Sequence, residues 1–176
     1  TLGEIEELLN NAIFEGQRIS YNLMPRLLVD YGIVPALKML AQQNVQNSGI
    51  PMQFYTNNTA MRLPSATEVG LYRIVQESLN NIIKHAGAQN VTVQLIQHRS
   101  KLSLIVEDDG CGFEINTVAG KNGTSKGMGL LNIRERTEGL NGFLTINTQP
   151  DKGTEIIVEL PTRENLFDAK NQNSAR

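Results

Sequence analysis

The stretch LSLIVEDDGCG, residues 102–112, joins an apolar strand to a glycine-rich turn. Side chains alternate between the two faces of a strand, so Asp108 shares a face with the leucines and the valine that precede it. A carboxylate on an apolar face needs hydrogen-bond donors, because an unpaired buried charge is costly, and the exocyclic amine of adenine is one such donor. Gly110 and Gly112 would let the backbone approach a flat ring closely. Asp-Gly is also a common turn signal, so this stretch alone leaves a base-binding site and a plain turn both open.

Strands and helices are predicted to alternate around this stretch. The predicted elements are, in chain order, a helical region at 26–47, a strand at 51–58, a helix from 65 to about 87, strands at 90–97 and 101–108, a helix at about 129–140, and strands at 143–148 and 153–160. Short turns join the strands of the last two pairs, which predicts antiparallel hairpins. The order lacks the regular rhythm of a Rossmann fold. It predicts an α/β (α+β) fold, a two-layer sandwich with a mixed sheet and helices on one face.

The predicted helix at 65–87 has an apolar side and a polar side. The apolar side consists of Leu71, Val75, Leu79, Ile82, Ile83 and Ala86. On the polar side, Glu77 and Asn81 are one turn apart, and Lys84 and His85 follow. A carboxylate and an amide oxygen at this spacing can approach one Mg²⁺, which takes few protein oxygens together with water and phosphate. Lys84 could then meet a phosphate. The alternative is a polar face that is only solvated.

Two more features are compatible with a nucleotide. Thr154 lies on the apolar face of its predicted strand, where its hydroxyl could help Asp108 hold a purine, although a threonine there also commonly follows a turn. Gly127 and Gly129 come just before or at the start of a predicted helix, whose first N–H groups and dipole favour an anion. Their spacing fits neither a Walker A loop nor a Rossmann fingerprint. The residues 114–126 have the composition of a mobile lid, or of a plain flexible connector.

The N-terminal segment carries a separate pattern. Apolar or small residues alternate at spacings of three and four, as in a coiled coil or helical bundle, at Leu2, Ile5, Leu9, Ala12, Gly16, Ile19 and Leu23. A helix packed on its own domain is one interpretation. The interpretation favoured here is the helical stub of a dimerisation bundle, which ends before Pro25.

Composition limits the class of protein. Hydrophobic residues make up 40% of the 176 residues and charged residues 19%, which is ordinary for a globular domain. The net charge of −2 gives no sign of the basic surface that direct nucleic-acid binding requires. The single cysteine fits a reducing compartment, and no apolar run reaches the ~18 residues that span a bilayer. We therefore expect a cytoplasmic chain, whose parent protein could be anchored in the inner membrane.

Together, the motifs resemble the nucleotide-binding domain shared by DNA gyrase, a heat-shock chaperone, histidine kinases and MutL. They follow the family order over roughly residues 50–161: an N box at 77–86, a first G box at 108–113 and a second at 127–130. Within that superfamily, NIIKHA, GLLNIRER and RISYNLMP are similar to histidine kinases of the class that pairs with DNA-binding response regulators of the nitrate-sensor type.

The resemblance implies a Bergerat-type sandwich. It implies an ATP-binding catalytic domain at 25–162, preceded at 1–24 by the end of a dimerisation and phosphotransfer helix. The polar sequence of residues 163–176 separately predicts a disordered tail. The partners that the resemblance implies are the dimerisation helices that carry the phosphate-accepting histidine, and a response regulator. The parent protein would be a homodimer.

The resemblance also implies a role for each matched residue. Asp108 would take the adenine amine with support from Thr154, Asn81 would bind Mg²⁺, and Glu77 would be catalytic, positioning a metal-bound water or assisting proton removal from the attacking histidine. The other implied ATP-binding residues are Lys84, His85, Gly110, Gly112, Gly127, Gly129 and Leu130.

One departure from the family pattern concerns the phosphate acceptor. The only histidines are His85, which belongs to the N box, and His98, which sits at a strand end. Neither fits the accepting position, so we expect this chain to bind ATP without phosphorylating itself. Two alternatives remain open at this stage: a serine kinase of the anti-sigma-factor type, and an inactive module that binds a nucleotide or a partner.

Overall fold

A computed structural model describes residues 26–114 and 125–161, except for the side chains of 125–127. The predicted helix at 2–23, most of the predicted lid and the predicted tail lie outside these residues. The described elements are the helices α1 (Arg26–Tyr31), α2 (Ile33–Ser48), α3 (Ser65–Asn81) and α4 (Ser125–Gly139), a π-helical turn (Ile82–Ala86), and the strands β1 (Met52–Thr56), β2 (Val91–Gln97), β3 (Lys101–Asp108), β4 (Phe143–Thr148) and β5 (Thr154–Pro161).

The five strands form one mixed sheet in the order β1-β2-β3-β5-β4. β1 and β2 are parallel, as expected for strands joined by the long crossover through α3. The other three pairs are antiparallel, so both predicted hairpins are confirmed.

The helices cover one face of this sheet. Alternate residues of β2, β3 and β5 are buried, and they form one core with buried residues of α2 and α3. On β3, Asp108 shares the buried face with Leu102, Leu104 and Val106, as the alternation predicts. The two-layer α/β sandwich is confirmed. None of the described helices is long and apolar enough to cross a membrane.

The helical region predicted at 26–47 is two helices rather than one. Gly32 separates α1 from α2 with a positive φ of 89°, a conformation that favours glycine. The Arg62 side chain fills the space beside Gly32, and its guanidinium donates to the carbonyl oxygen of Asp30 over 3.4 Å. Arg62 also pairs with the buried Glu68 of α3 over 3.7 Å. The break is therefore fixed by a contact from distant sequence, which local periodicity does not reveal.

The helix predicted at 65–87 also changes character before it ends. Its last turn is π-helical, and Gly87 ends it with a φ of 59°. Because a π turn closes i→i+5 hydrogen bonds, it shifts the residues after Asn81 around the helix axis. Ile82 remains buried, but Ile83 is 37% exposed, so the placement of Ile83 on the apolar side was wrong.

Helix α4 begins at Ser125, four residues before the predicted start. Gly127 and Gly129 therefore lie inside its first turns rather than ahead of them. The helix packs on α3, where an added Cβ on Gly70 would lie 2.8 Å from Leu140. Ile133 on α4 is fully buried in the core.

Candidate functional site

A cavity of about 400 Å³ lies between the end of α3, the π turn and the ends of β3 and β5. Its lining residues are Ser78, Asn81, Ile82, Lys84, His85, Ala86, Val106, Asp108, Cys111, Gly112, Phe113, Leu130, Thr154 and Ile156. Both layers contribute apolar lining side chains, Ile82 and Leu130 from the helices and Val106 and Ile156 from the sheet, together with polar and charged groups. This is the composition expected of a pocket for a flat, partly polar ligand.

The structure brings most of the predicted site residues to this cavity. Those that line it are Asn81, Lys84, His85, Asp108, Gly112, Leu130 and Thr154. Gly110, Glu77 and Gly129 do not line it but adjoin residues that do. Gly127 lies in the first turn of α4, and its surroundings are outside the described residues.

Asp108 stands at the end of β3, directly opposite Thr154 of β5. Its side chain is only 6% exposed, and its Oδ1 accepts a hydrogen bond of 2.8 Å from the N–H of Gly110. Burial raises the pKa of Asp108, while hydrogen bonds from the backbones of Gly110 and Thr154 partly offset the rise. A buried carboxylate thus lines the cavity beside a threonine hydroxyl.

Asp109 points the other way and was missed as a contributor to the site. Its carboxylate accepts hydrogen bonds from the backbone N–H groups of Gln89 (2.7 Å) and Asn90 (2.8 Å), and from the side chain of Asn90 (2.9 Å). The side-chain bond from Asn90 is the main cause of a lowered pKa at Asp109. These bonds tie the segment after the π turn to the end of β3. Only the alternation of strand faces hinted that the two aspartates would differ.

The glycine-rich turn is docked against two other segments. The N–H of Cys111 donates to the carbonyl oxygen of Ala86 over 2.8 Å, and the carbonyl of Cys111 accepts from the N–H of Asp151 over 2.7 Å. Gly112 has a φ of 54°, and a Cβ there would overlap the carbonyl oxygen of Gln149. The β4–β5 turn is thus part of the site. The sequence showed that turn but gave no sign of its contact with residues 110–113.

Glu77 and Asn81 meet α4 at Gly129. A Cβ added to Gly129 would lie 2.6 Å from Oε1 of Glu77 and 2.9 Å from both amide atoms of Asn81. The missing side chain of Gly129 therefore leaves the space that these two polar groups occupy. The described residues hold no group of three or more histidine, cysteine or acidic side chains placed to bind a metal. A cation held by one or two protein oxygens and by ligand phosphates, as Mg²⁺ is, fits this pair.

Comparison with known sequences identifies the family. The sequence model described as histidine kinase-, DNA gyrase B- and HSP90-like ATPase matches residues 66–164. The histidine-protein kinase/phosphatase DegS of Brevibacillus brevis is 33% identical over 158 residues, 90% of this chain and 40% of DegS. The sensor histidine kinases MctS of Rhizobium johnstonii and ComP of Bacillus subtilis are each 35% identical over 90% of this chain, and over 34% and 20% of their own lengths. The chain thus spans less than half of these relatives.

A solved structure shares the fold. The histidine kinase domain of the blue-light activated histidine kinase from Erythrobacter litoralis matches with a TM-score of 0.57 at 22% identity, over 73% of this chain and 60% of that one. The resemblance that the N box and the G boxes carry is confirmed, and membership of an ATPase family implies ATP as the ligand. Because the family match covers more than half of its length, the chain belongs to the histidine kinase-, DNA gyrase B- and HSP90-like ATPases.

Proposed function

We propose that this chain is the ATP-binding catalytic domain of a two-component sensor histidine kinase. It would transfer the γ-phosphoryl group of ATP to a histidine on the dimerisation helices of the parent protein. The observation that carries the proposal is the cavity, whose lining combines the buried carboxylate of Asp108 at the end of β3 with Asn81, Lys84 and His85 from the end of α3 and the π turn. Phosphoryl transfer depends mainly on positioning and charge stabilisation, and this set of groups suits both.

The base would lie beside Asp108 and Thr154. Asp108 is placed to accept a hydrogen bond from the adenine amine, and Thr154 stands beside it in the adjacent strand. Val106 and Ile156, which precede and follow these residues on the same face, supply apolar surface for the ring. Such a pairing of one buried acceptor with apolar walls favours a flat base that carries an amino group.

The phosphates would lie toward α4. Its first N–H groups lack partners within the helix and favour an anion, and the N–H of Gly127 is among them. Gly129 and Leu130 follow in the next turn, and Leu130 lines the cavity, so these three residues are the proposed phosphate-binding positions. Lys84, which lines the same cavity as Leu130, would supply a positive charge. When bound at Asn81, Mg²⁺ would neutralise charge on the phosphates. Glu77, whose carboxylate adjoins Asn81 at Gly129, is the proposed acceptor of the proton from the attacking histidine.

The phosphate acceptor is proposed to lie outside the catalytic domain. His85 lines the cavity itself, and the backbone of His98 donates to Lys101 within the β2–β3 hairpin. Similarity to DegS over 158 residues extends beyond the family match at 66–164. It is compatible with the proposed division into the end of a dimerisation helix at 1–24 and the catalytic domain at 25–162. A response regulator as downstream partner and a homodimeric parent protein are part of the same proposal.

Binding is tested by calorimetric titration of the chain with ADP and with a non-hydrolysable ATP analogue, with and without Mg²⁺. We expect both to bind and Mg²⁺ to strengthen the binding. In Asn81→Ala the Mg²⁺ effect should disappear, because the proposed oxygen ligand is gone. A folded chain that binds neither nucleotide would refute the proposal, and an unchanged Mg²⁺ effect in Asn81→Ala would refute the metal assignment.

Cys111 offers a second readout, since it is exposed, lines the cavity and is the only cysteine in the chain. We expect ADP to slow its labelling by a maleimide.

For catalysis, the chain is mixed with ATP and a separate pair of dimerisation helices that carries a histidine. Acid-labile phosphate on that histidine supports the proposal, whereas transfer to a serine substrate alone contradicts it. Glu77→Gln should bind ADP normally and transfer no phosphate.

A further inference from the structure

A row of three polar side chains crosses the sheet beside the cavity. Asp108 of β3 pairs with Thr154 of β5, and Thr154 pairs with Thr148 of β4. Strand alternation places Thr148 on the helix-facing side of β4, where it is half-buried. Asp108 and Thr154 line the cavity, but Thr148 stands one strand further out. No role in the proposed ATP site involves Thr148.

The Thr148 hydroxyl makes three contacts. Its Oγ1 accepts a hydrogen bond of 3.1 Å from the N–H of Phe113, which follows the glycine-rich turn. It lies 3.0 Å from the carbonyl oxygen of Gly153 and 3.2 Å from Oγ1 of Thr154. The hydroxyl therefore joins the glycine-rich turn, the β4–β5 turn and a residue that lines the cavity.

The number of hydrogens fixes the direction of these bonds. A hydroxyl has one hydrogen and two lone pairs. The carbonyl of Gly153 can only accept, so the Thr148 hydrogen goes to it, and one lone pair of Thr148 takes the N–H of Phe113. All three contacts are satisfied only if Thr154 donates its hydrogen to Thr148. Thr154 then faces the cavity with lone pairs alone.

We propose that Thr148 is a positioning residue that fixes the Thr154 hydroxyl as an acceptor, so that the cavity selects a 6-amino purine over a 6-oxo purine. The inference rests on the proposed nucleotide site. An ionised Asp108 can also only accept, so both polar groups at this end of the cavity require a donor. A 6-amino group offers N–H bonds, whereas a 6-oxo group would place a third acceptor there. Sites built to pair with a particular group reject analogues that cannot pair.

The test compares ADP with IDP, which carries a 6-oxo group in place of the 6-amino group. Dissociation constants are measured by calorimetry. We expect the unmodified chain to favour ADP at least ~10-fold, the effect of one mismatched hydrogen-bonding group. Thr148→Val removes the hydroxyl at nearly constant shape and lets the Thr154 hydrogen turn toward the cavity. The ADP preference should then fall at least ~5-fold, with IDP binding unchanged or tighter.

Two control variants separate this effect from general damage. Thr148→Ser keeps the hydroxyl and should retain the preference. Thr145→Val makes the same chemical change on the exposed face of β4 and should also retain it. A preference that persists in folded Thr148→Val, or a uniform loss of both nucleotides, overturns the inference. If Thr148→Val does not fold, the same criterion is applied to Thr148→Ala.

Binding of ADP and IDP by the unmodified chain distinguishes failure of this inference from failure of the proposed function. Equal binding of ADP and IDP by that chain overturns the inference and leaves the ATP site standing. If ADP does not bind at all, the proposed function itself fails, and the inference fails with it.

Discussion

At the scale of single residues, two adjacent aspartates have opposite effects on stability. Burial raises the pKa of Asp108 above its ordinary value of 3.8, so the contribution of Asp108 to stability is greatest below that value and is lost as the pH rises through the folded-state pKa. Hydrogen bonds lower the pKa of Asp109 below the same value. Its contribution is present above pH 3.8 and is lost as the pH falls through the folded-state pKa.

The pH dependence of unfolding tests this difference. Asp109→Asn should lower the melting temperature by a few degrees at pH 7 and flatten the loss of stability toward pH 3. Asp108→Asn should not lower the melting temperature at pH 7, because it removes a charge whose burial is unfavourable. Melting curves followed by circular dichroism from pH 3 to 8 measure both, with the exposed Glu107→Gln as control. If the stability of Asp109→Asn fell toward pH 3 as steeply as that of the unmodified chain, the lowered pKa would not be the cause of the acid-side loss of stability.

The same Asp108→Asn change should greatly weaken nucleotide binding. The amide can still accept from Gly110, but its NH₂ group would then face the amino group of the base, donor against donor. A lost hydrogen bond to a charged group costs about 1.5–3 kcal/mol, so ADP affinity should fall ~10-fold to 100-fold. Calorimetry measures it. Glu107→Gln, one residue earlier and on the opposite face, should bind as the unmodified chain does. Unchanged affinity in folded Asp108→Asn would contradict the proposal that Asp108 binds the adenine amine.

At the scale of elements, α3 and α4 meet where Gly129 leaves space for Glu77 and Asn81. Gly129→Ala would place a methyl group 2.6 Å from the Glu77 carboxylate, and crowding of this kind typically costs about 1–3 kcal/mol. If Asn81 holds Mg²⁺ as proposed, its displacement should abolish the Mg²⁺ effect on ADP binding. Gly139→Ala, at the open end of the same helix, meets nothing within 4 Å and should leave that effect intact. Urea unfolding and titration with ADP measure the two outcomes.

Elements that depend on alternation alone could be predicted from the sequence. The predicted bounds of the strands lie within two residues of the observed ones, because one buried face imposes a period of two. The breaks, turns and ends of the helices were harder to predict. The break at Gly32 is accompanied by a contact from Arg62, thirty positions away, and the apolar spacing of the helix at 65–87 does not predict its π turn. The early start of α4 was missed because its glycines lower local helix propensity, while contact with α3 favours the helix.

The residues of the site also differ in whether the sequence predicts their placement. Asp108 and Thr154 were predictable because strand parity places both on the buried face, and Asn81 because helical spacing places it one turn from Glu77. Thr148 was not predictable, because the role proposed for it depends on Thr154, one strand away, and on the N–H of Phe113. Pairwise contacts across a sheet depend on register, and the sequence did not fix the register of β4 against the glycine-rich turn.

At the scale of the whole molecule, the described residues between 26 and 161 supply both a continuous core and the cavity. A ligand that binds only the folded state stabilises it by about 2.7 kcal/mol at 100 times its dissociation constant. For a chain of this size, that free energy raises the melting temperature by ~5–11 °C. The shift therefore reports on the integrity of the cavity and the core together.

We predict that a chain shortened to residues 26–161 folds and shows the same ADP-induced shift in melting temperature as the full chain, within about 2 °C. The reason is that all the cavity-lining residues in the part of the chain that the structure describes are retained. Differential scanning calorimetry of both chains, with and without ADP, makes the comparison, and Asp108→Asn in either chain should reduce the shift by about half or more, as expected for a ~10-fold to 100-fold weaker affinity. A smaller shift in the shortened chain would mean that residues 1–25 or 162–176 contribute to the nucleotide site, and the boundary proposed for the catalytic domain would have to move.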